Sequence, residues 1–88
     1  MLTYNEDKRK INLKKYGIDL AECEHIFDAP MLTREDDRQA YGEQRWVSLG
    51  MLNGEVVVLV WTDRKTGAHL ISCRKAEKYE RKIYFKNF

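Results

Sequence analysis

The stretch Asn53-Gly54-Glu55-Val56-Val57-Val58-Leu59-Val60-Trp61 decides the fold. Asn-Gly suits the positive φ values of a two-residue hairpin turn, and the run from Val56 to Trp61 is apolar throughout, as a strand covered on both faces is. Upstream, Arg45-Trp46-Val47-Ser48-Leu49-Gly50 supplies the other arm of the hairpin. Downstream, Asp63 to Gly67 reads as a looser connection into a further strand, His69 to Arg74. Antiparallel strands with a central member buried on both sides need helices to cover them.

The flanking segments supply that cover. Met1 to Tyr4 reads as a short strand, after which Asn5 offers an N-cap and Glu6 and Asp7 suit the positive end of a helix running to about Lys15. Gly17 ends that helix, and Asp19 with Glu22 three residues on has the form of a capping box for a second one. That second helix places Leu20, Cys23 and Phe27, with Ile26, on one face, and Pro30 stops it. Met31 to Asp37 reads as an edge strand or an extended connection. A last helix, about Ala76 to Phe85, puts Ala76, Tyr79 and Ile83 on its packed face. The fold class is therefore α+β: a small antiparallel sheet with two N-terminal helices and a C-terminal helix.

Composition narrows the function. A chain of 88 residues accommodates one domain and one modest core. At 43% hydrophobic and 34% charged it is a folded polymer, and no run approaches the roughly 20 apolar residues of a membrane span. The first residues lack the basic-then-apolar order of a secretory signal, so a cytoplasmic location and reduced Cys23 and Cys73 are expected. The cysteines are too far apart in sequence for a CxxC pair and read as buried thiols. No zinc, P-loop or dinucleotide pattern occurs, and no metal or cofactor is expected.

Charge is distributed unevenly within a net +2. Asp19 to Glu43 holds eight acidic residues against Arg34 and Arg38, whereas Arg74 to Lys86 holds six basic against two acidic. The second region is a junction, Ile71-Ser72-Cys73-Arg74-Lys75-Ala76, at which a strand passes directly into a cationic helix. Metal-free RNA cleavage needs a base for the 2′-hydroxyl proton, an acid for the leaving oxygen and cations for the charge on phosphate. The candidate catalytic residues are Arg64, His69, Arg74 and Glu80, and the candidate RNA-binding residues are Lys8, Lys75, Arg81 and Tyr84. Each also has an ordinary structural reading: His69 as a strand histidine, Glu80 as a helix ion-pair partner, Tyr84 as a packed ring, and Lys8, Asn12 and Lys15 as a solvated helix face. In a regular strand His69 and Arg74 point to opposite faces unless a bulge intervenes.

These residues, in order, resemble the BrnT family of type II toxins over essentially the whole chain. The pieces that carry the likeness are Lys8 and Asn12; Lys15-Tyr16-Gly17-Ile18 with Ala21 and Phe27; Glu43-Gln44-Arg45-Trp46 with Gly50; Thr62 and Arg64; and Ile71 to Ala76 with Glu80-Arg81 and Tyr84. Tyr16 stands where the family usually has His, Asn5-Glu6 where it has Trp-Asp, and His69 where Arg is frequent. The resemblance implies a RelE-like fold, a ribonuclease that inhibits translation, and a cognate BrnA antitoxin, a ribbon-helix-helix protein that neutralises the toxin and contacts DNA in the complex. In that frame Arg64 and Arg74 neutralise the scissile phosphate, Glu80 or His69 exchanges the proton, and Lys75, Arg81 and Tyr84 position the backbone. The competing reading is a catalytically silent relative that keeps the fold as an antitoxin- or RNA-binding module.

Overall fold

In the computed structural model, which describes residues 2–38, 40 and 42–88, Asn53 and Gly54 both take positive φ, 51° and 81°. The tight turn they form joins β3 (Trp46–Leu52) to β4 (Glu55–Arg64), paired from Leu52↔Glu55 to Trp46↔Trp61. The next connection is as tight. Arg64 pairs with Gly67, so only Lys65 and Thr66 separate β4 from β5 (Gly67–Lys75), and the looser link expected there is replaced by a long two-residue hairpin.

Two short strands complete the sheet. β2 (Leu32–Glu35) pairs antiparallel with β3 at one edge, and β1 (Thr3–Tyr4) pairs parallel with β5 at the other. Met1, expected to open β1, lies outside the described residues. The order β1-β5-β4-β3-β2 makes the sheet five-stranded and mixed, where a small antiparallel sheet was expected. β4, the apolar run, sits at its centre. Between β1 and β2 the chain crosses from one edge of the sheet to the other.

One face is covered by a 3₁₀ helix (Leu20–Asp28), while α1 (Glu6–Tyr16) lies along the β5 edge, held to it through Asn12. Asn5 caps α1, its Oδ1 accepting from Asp7 N–H at 2.9 Å and Lys8 N–H at 3.1 Å, and Gly17 ends it in the left-handed region at φ 71°. The second helix is 3₁₀ because its buried residues, Leu20, Cys23 and Ile26, recur every three positions, the period of that helix. The α-helical face expected there, which included Phe27, is replaced by this narrower ridge, and Asp19 accepts from Ala21 N–H instead of making a capping box with Glu22. Arg9 holds Asp19 through two hydrogen bonds, at 2.7 and 3.0 Å, so α1 and the 3₁₀ helix are tied at their junction. The ridge packs on Leu52, Val57, Leu59, Leu70 and Cys73 to form the larger core.

The other face is covered only in part. α2 (Lys78–Asn87) packs there over a smaller core containing Val47, Val56, Val58, Ala76 and Tyr84. It is turned differently from expectation: Glu80 and Tyr84 are the buried residues, while Tyr79 and Ile83 are exposed. Ala76 follows β5 and its N–H still donates to Val56 O, so the helix begins two residues later than expected. Among the described residues no helix is long and apolar enough to cross a membrane.

Candidate nucleic-acid interface

The site depends on one irregularity in β5. Val60 pairs with Ser72 but Trp61 pairs with Leu70, so Ile71 is an extra residue that the β4 partner does not match. Leu70 and Cys73, three apart, therefore both enter the larger core, and each is fully buried. The same phase shift places His69, Ser72 and Arg74 together on the opposite face, with their partners Thr62, Val60 and Val58. His69 and Arg74 thus share a face, the face that α2 only partly covers.

Two groups of cations lie along it. Beside α2, Arg74, Arg34 and Arg38 line a cleft of about 410 Å³ with Val60, Ser72 and Glu80, and Tyr16 and Tyr79 stand at its edge. Arg74 is fixed there by a bidentate ion pair, Nη1 donating to Glu80 Oε1 at 2.8 Å and Nη2 to Oε2 at 3.0 Å. Glu80 also accepts from Glu77 N–H at 2.8 Å and is only 8% exposed. The hydrogen bonds from Arg74 hold its carboxyl below the ordinary glutamate value despite burial. A carboxylate so engaged is a weak base and a good anchor. Arg38 pairs with the buried Asp36 at 2.7 Å.

At the far end, Lys8, Arg45, Arg64 and His69 line a second cavity of about 400 Å³ with Glu43, Asn5 and Asp7. Arg64 is ion-paired with Glu43 at 3.4 Å, and His69 Nδ1 lies 2.8 Å from Thr3 Oγ1, its neighbour across the parallel pair. Burial, and then the charge of Arg64, lower the His69 pKa, against a smaller opposing effect of Glu43. The imidazole is neutral at pH 7 and able to accept a proton. Six residues of β4 separate Arg64 from Val58, the partner of Arg74, which is about 20 Å along a strand. Arg64, turned to Glu43, and Arg74, turned to Glu80, therefore stand at opposite ends of the face and do not converge on one phosphate.

Three of the expected RNA contacts lie elsewhere. Lys75 alternates away from Arg74 and pairs with Glu55 at 3.3 Å on the far side of the strand. Tyr84 is buried in the smaller core, its hydroxyl donating to Pro30 O at 3.1 Å, and cannot reach a ligand. Arg81 donates to Ala76 O at 2.9 Å at the start of α2 and lines neither cation cavity. Asn12, expected on a solvated face, is buried: its amide donates to Cys73 O and Ile18 O and accepts from Cys73 N–H. Trp46 and Trp61 face the helices, with Trp61 Nε1 donating to Ser48 Oγ and its ring meeting Phe27 edge-on. Cys73 is likewise structural, its thiol pushed up by the adjoining Cys23 and by burial. Sequence reasoning missed Arg34, Arg45, Tyr16 and Tyr79 as members of the two cavities. The signal for Arg34 was there: it alternates with Thr33, as a residue of an edge strand facing the sheet's open side does.

The comparison with known families follows the same residues. The family described as "Ribonuclease toxin, BrnT, of type II toxin-antitoxin system" matches residues 4–80. The chain belongs to the BrnT family. No curated protein matches it. The BrnT match takes in both cation clusters and ends at Glu80, the residue that anchors Arg74, so Arg81 and Tyr84 lie beyond it. The family is one of ribonuclease toxins.

Proposed function

We propose that this chain is a RelE-like endoribonuclease toxin that cleaves RNA without a metal ion, inhibits translation, and is neutralised in the cytoplasm by a BrnA-type ribbon-helix-helix antitoxin. The observation that carries the reading is the extra residue at Ile71, which gathers His69, Ser72 and Arg74 on the one sheet face that also carries Arg34, Arg45 and Arg64. RNA lies along that face with its phosphates on the cations. Tyr16 and Tyr79, which are sequence-tolerant stacking surfaces, hold bases near Arg74.

The two ends of the face have different tasks. At the His69 end the scheme uses the tautomer in which Nδ1–H, 2.8 Å from Thr3 Oγ1, donates to that hydroxyl and leaves Nε2 to take the 2′-hydroxyl proton. The 2′-oxygen attacks phosphorus, the bond to the 5′-oxygen breaks, and that oxygen takes a proton from solvent. Arg64, Arg45 and Lys8 stabilise the charge on the phosphate in flight. At the other end Arg74, pre-oriented by Glu80, binds a neighbouring phosphate and sets the register of the strand. Glu80 is a positioning residue in this scheme.

Growth arrest in cells expressing the chain alone tests the proposal. Arg74→Ala relieves the arrest if Arg74 holds RNA, and an equally toxic variant removes it from the mechanism. A catalytically silent RNA-binding module is the second reading, favoured by the engagement of Glu80, which leaves His69 to carry the base role alone of the two residues proposed for it. RNA that stays intact at high protein excess selects that reading.

A further inference from the structure

The flank of α2 that faces the sheet edge is apolar and bare. Tyr79 and Ile83, one turn apart, are 59% and 43% exposed, and with Leu32, Val47 and Leu49 they line a groove of about 340 Å³ between α2 and the edge strand β2. An apolar groove with a charged rim marks a protein-binding surface more often than an RNA-binding one. Arg34 stands on that rim. Arg34, Val47, Tyr79 and Glu80 line both the groove and the Arg74 cleft, so the two are continuous. The outer edge of β2 pairs with no described strand and offers its backbone groups to an incoming chain.

We infer that this groove is the docking site of an apolar, acidic-flanked segment of the antitoxin that a type II toxin requires. Its apolar side chains insert between Tyr79, Ile83 and Leu32, a carboxylate pairs with Arg34, and the segment then crosses the mouth of the Arg74 cleft. Charge complementarity selects the occupant: the cations that attract RNA phosphate attract the acidic flank, so the two compete for Arg34 and Arg74. Inhibition follows from occlusion, without any change in the toxin's shape. The inference rests on the proposed function for its consequence and on family membership for the existence of the partner.

Ile83 tests it, because Ile83 lines the groove and not the cleft. The probe is the antitoxin encoded beside this chain's gene, titrated against wild-type toxin, Ile83→Asp, and Leu13→Ser, which alters an exposed apolar residue of α1 that lines neither the groove nor the cleft. Losing one buried aliphatic contact and placing a carboxylate beside an acidic segment weakens binding by at least about tenfold, with Leu13→Ser unchanged and the thermal melt of each variant retained. In cells, Ile83→Asp arrests growth and is no longer rescued. Binding of Ile83→Asp within about twofold of wild type overturns the inference. So does a concentration-dependent dimer of the chain that Ile83→Asp dissolves while antitoxin binding persists. Binding is read without RNA, so cleavage that survives Arg74→Ala defeats the ribonuclease mechanism and leaves this result standing.

Discussion

Asn12 does for β5 what another strand would do. Beyond the short pairing with β1, the outward N–H and C=O of Cys73 are met by the Asn12 side-chain amide, which also reaches Ile18 O. One residue thereby closes the sheet edge and fixes α1 against it. Asn12→Leu keeps the branched shape and leaves three buried backbone groups unpartnered, so stability falls by about 2–4 kcal/mol, measurable by urea unfolding. An asparagine between basic residues of a polar helix reads as solvated, and only the tertiary contact with a residue 61 positions away shows otherwise. His69 offers the second prediction at this scale. Its folded pKa lies below the ordinary value of 6.5 because of burial and Arg64, so the neutral base persists as pH falls through 6.5 and is lost only below it. The acid limb of kcat/KM should accordingly have its midpoint below 6.5, and Arg64→Gln should move it upward. A limb that ignores Arg64 would exclude His69 as the base. The same depression makes folding stability decline as pH falls below 6.5, where the unfolded chain binds the proton more readily than the folded one.

Among the elements, the 3₁₀ helix and β5 show where local sequence signals stop. The apolar run of β4, the Asn53-Gly54 turn, and the Asn5 and Gly17 ends of α1 are strong local signals, and each forms where expected. The period-three ridge of Leu20, Cys23 and Ile26 is also written in the sequence, but four apolar residues at mixed spacing satisfy an α-helix equally well. Gly50 decides between them. A Cβ there would lie 2.5 Å from Ile26 Cγ2, so the ridge approaches β3 more closely than any side chain at position 50 permits. Gly50→Ala should destabilise the chain by about 1–3 kcal/mol, read from its denaturant midpoint, through displacement of the 3₁₀ helix. The extra residue at Ile71 has no such signal. It is neither glycine nor proline, and the shift becomes visible only once β4 sets the pairing. α2 was misoriented for a related reason: its two buried positions are a glutamate held by Arg74 and a tyrosine held by Pro30 O, contacts that hydrophobic periodicity does not register.

At the scale of the molecule, the mixed sheet has one face closed by the 3₁₀ helix, one face half-open beside α2, and α1 along its β5 edge. Composition and charge pointed to a cationic surface, and the family likeness pointed to RNA. What neither contained was the division of that surface into two clusters about 20 Å apart along β4, which requires the register of the hairpin. In the proposed mechanism this division gives proton transfer to the His69 end and strand positioning to the Arg74 end. It also explains why Lys75 and Tyr84, neighbours of Arg74 in sequence or helix, take no part: strand alternation turns one away, and burial removes the other. The decisive measurement is the mapping of RNA 5′ ends after incubation with purified protein in excess chelator, comparing wild type with Arg74→Ala. Cleavage by the cationic face predicts new 5′-hydroxyl ends from the wild type in chelator and, through loss of substrate positioning, a rate lower by roughly 10²-fold for Arg74→Ala. Cleavage abolished by the chelator, or an Arg74→Ala protein that cuts as fast as the wild type, would contradict it.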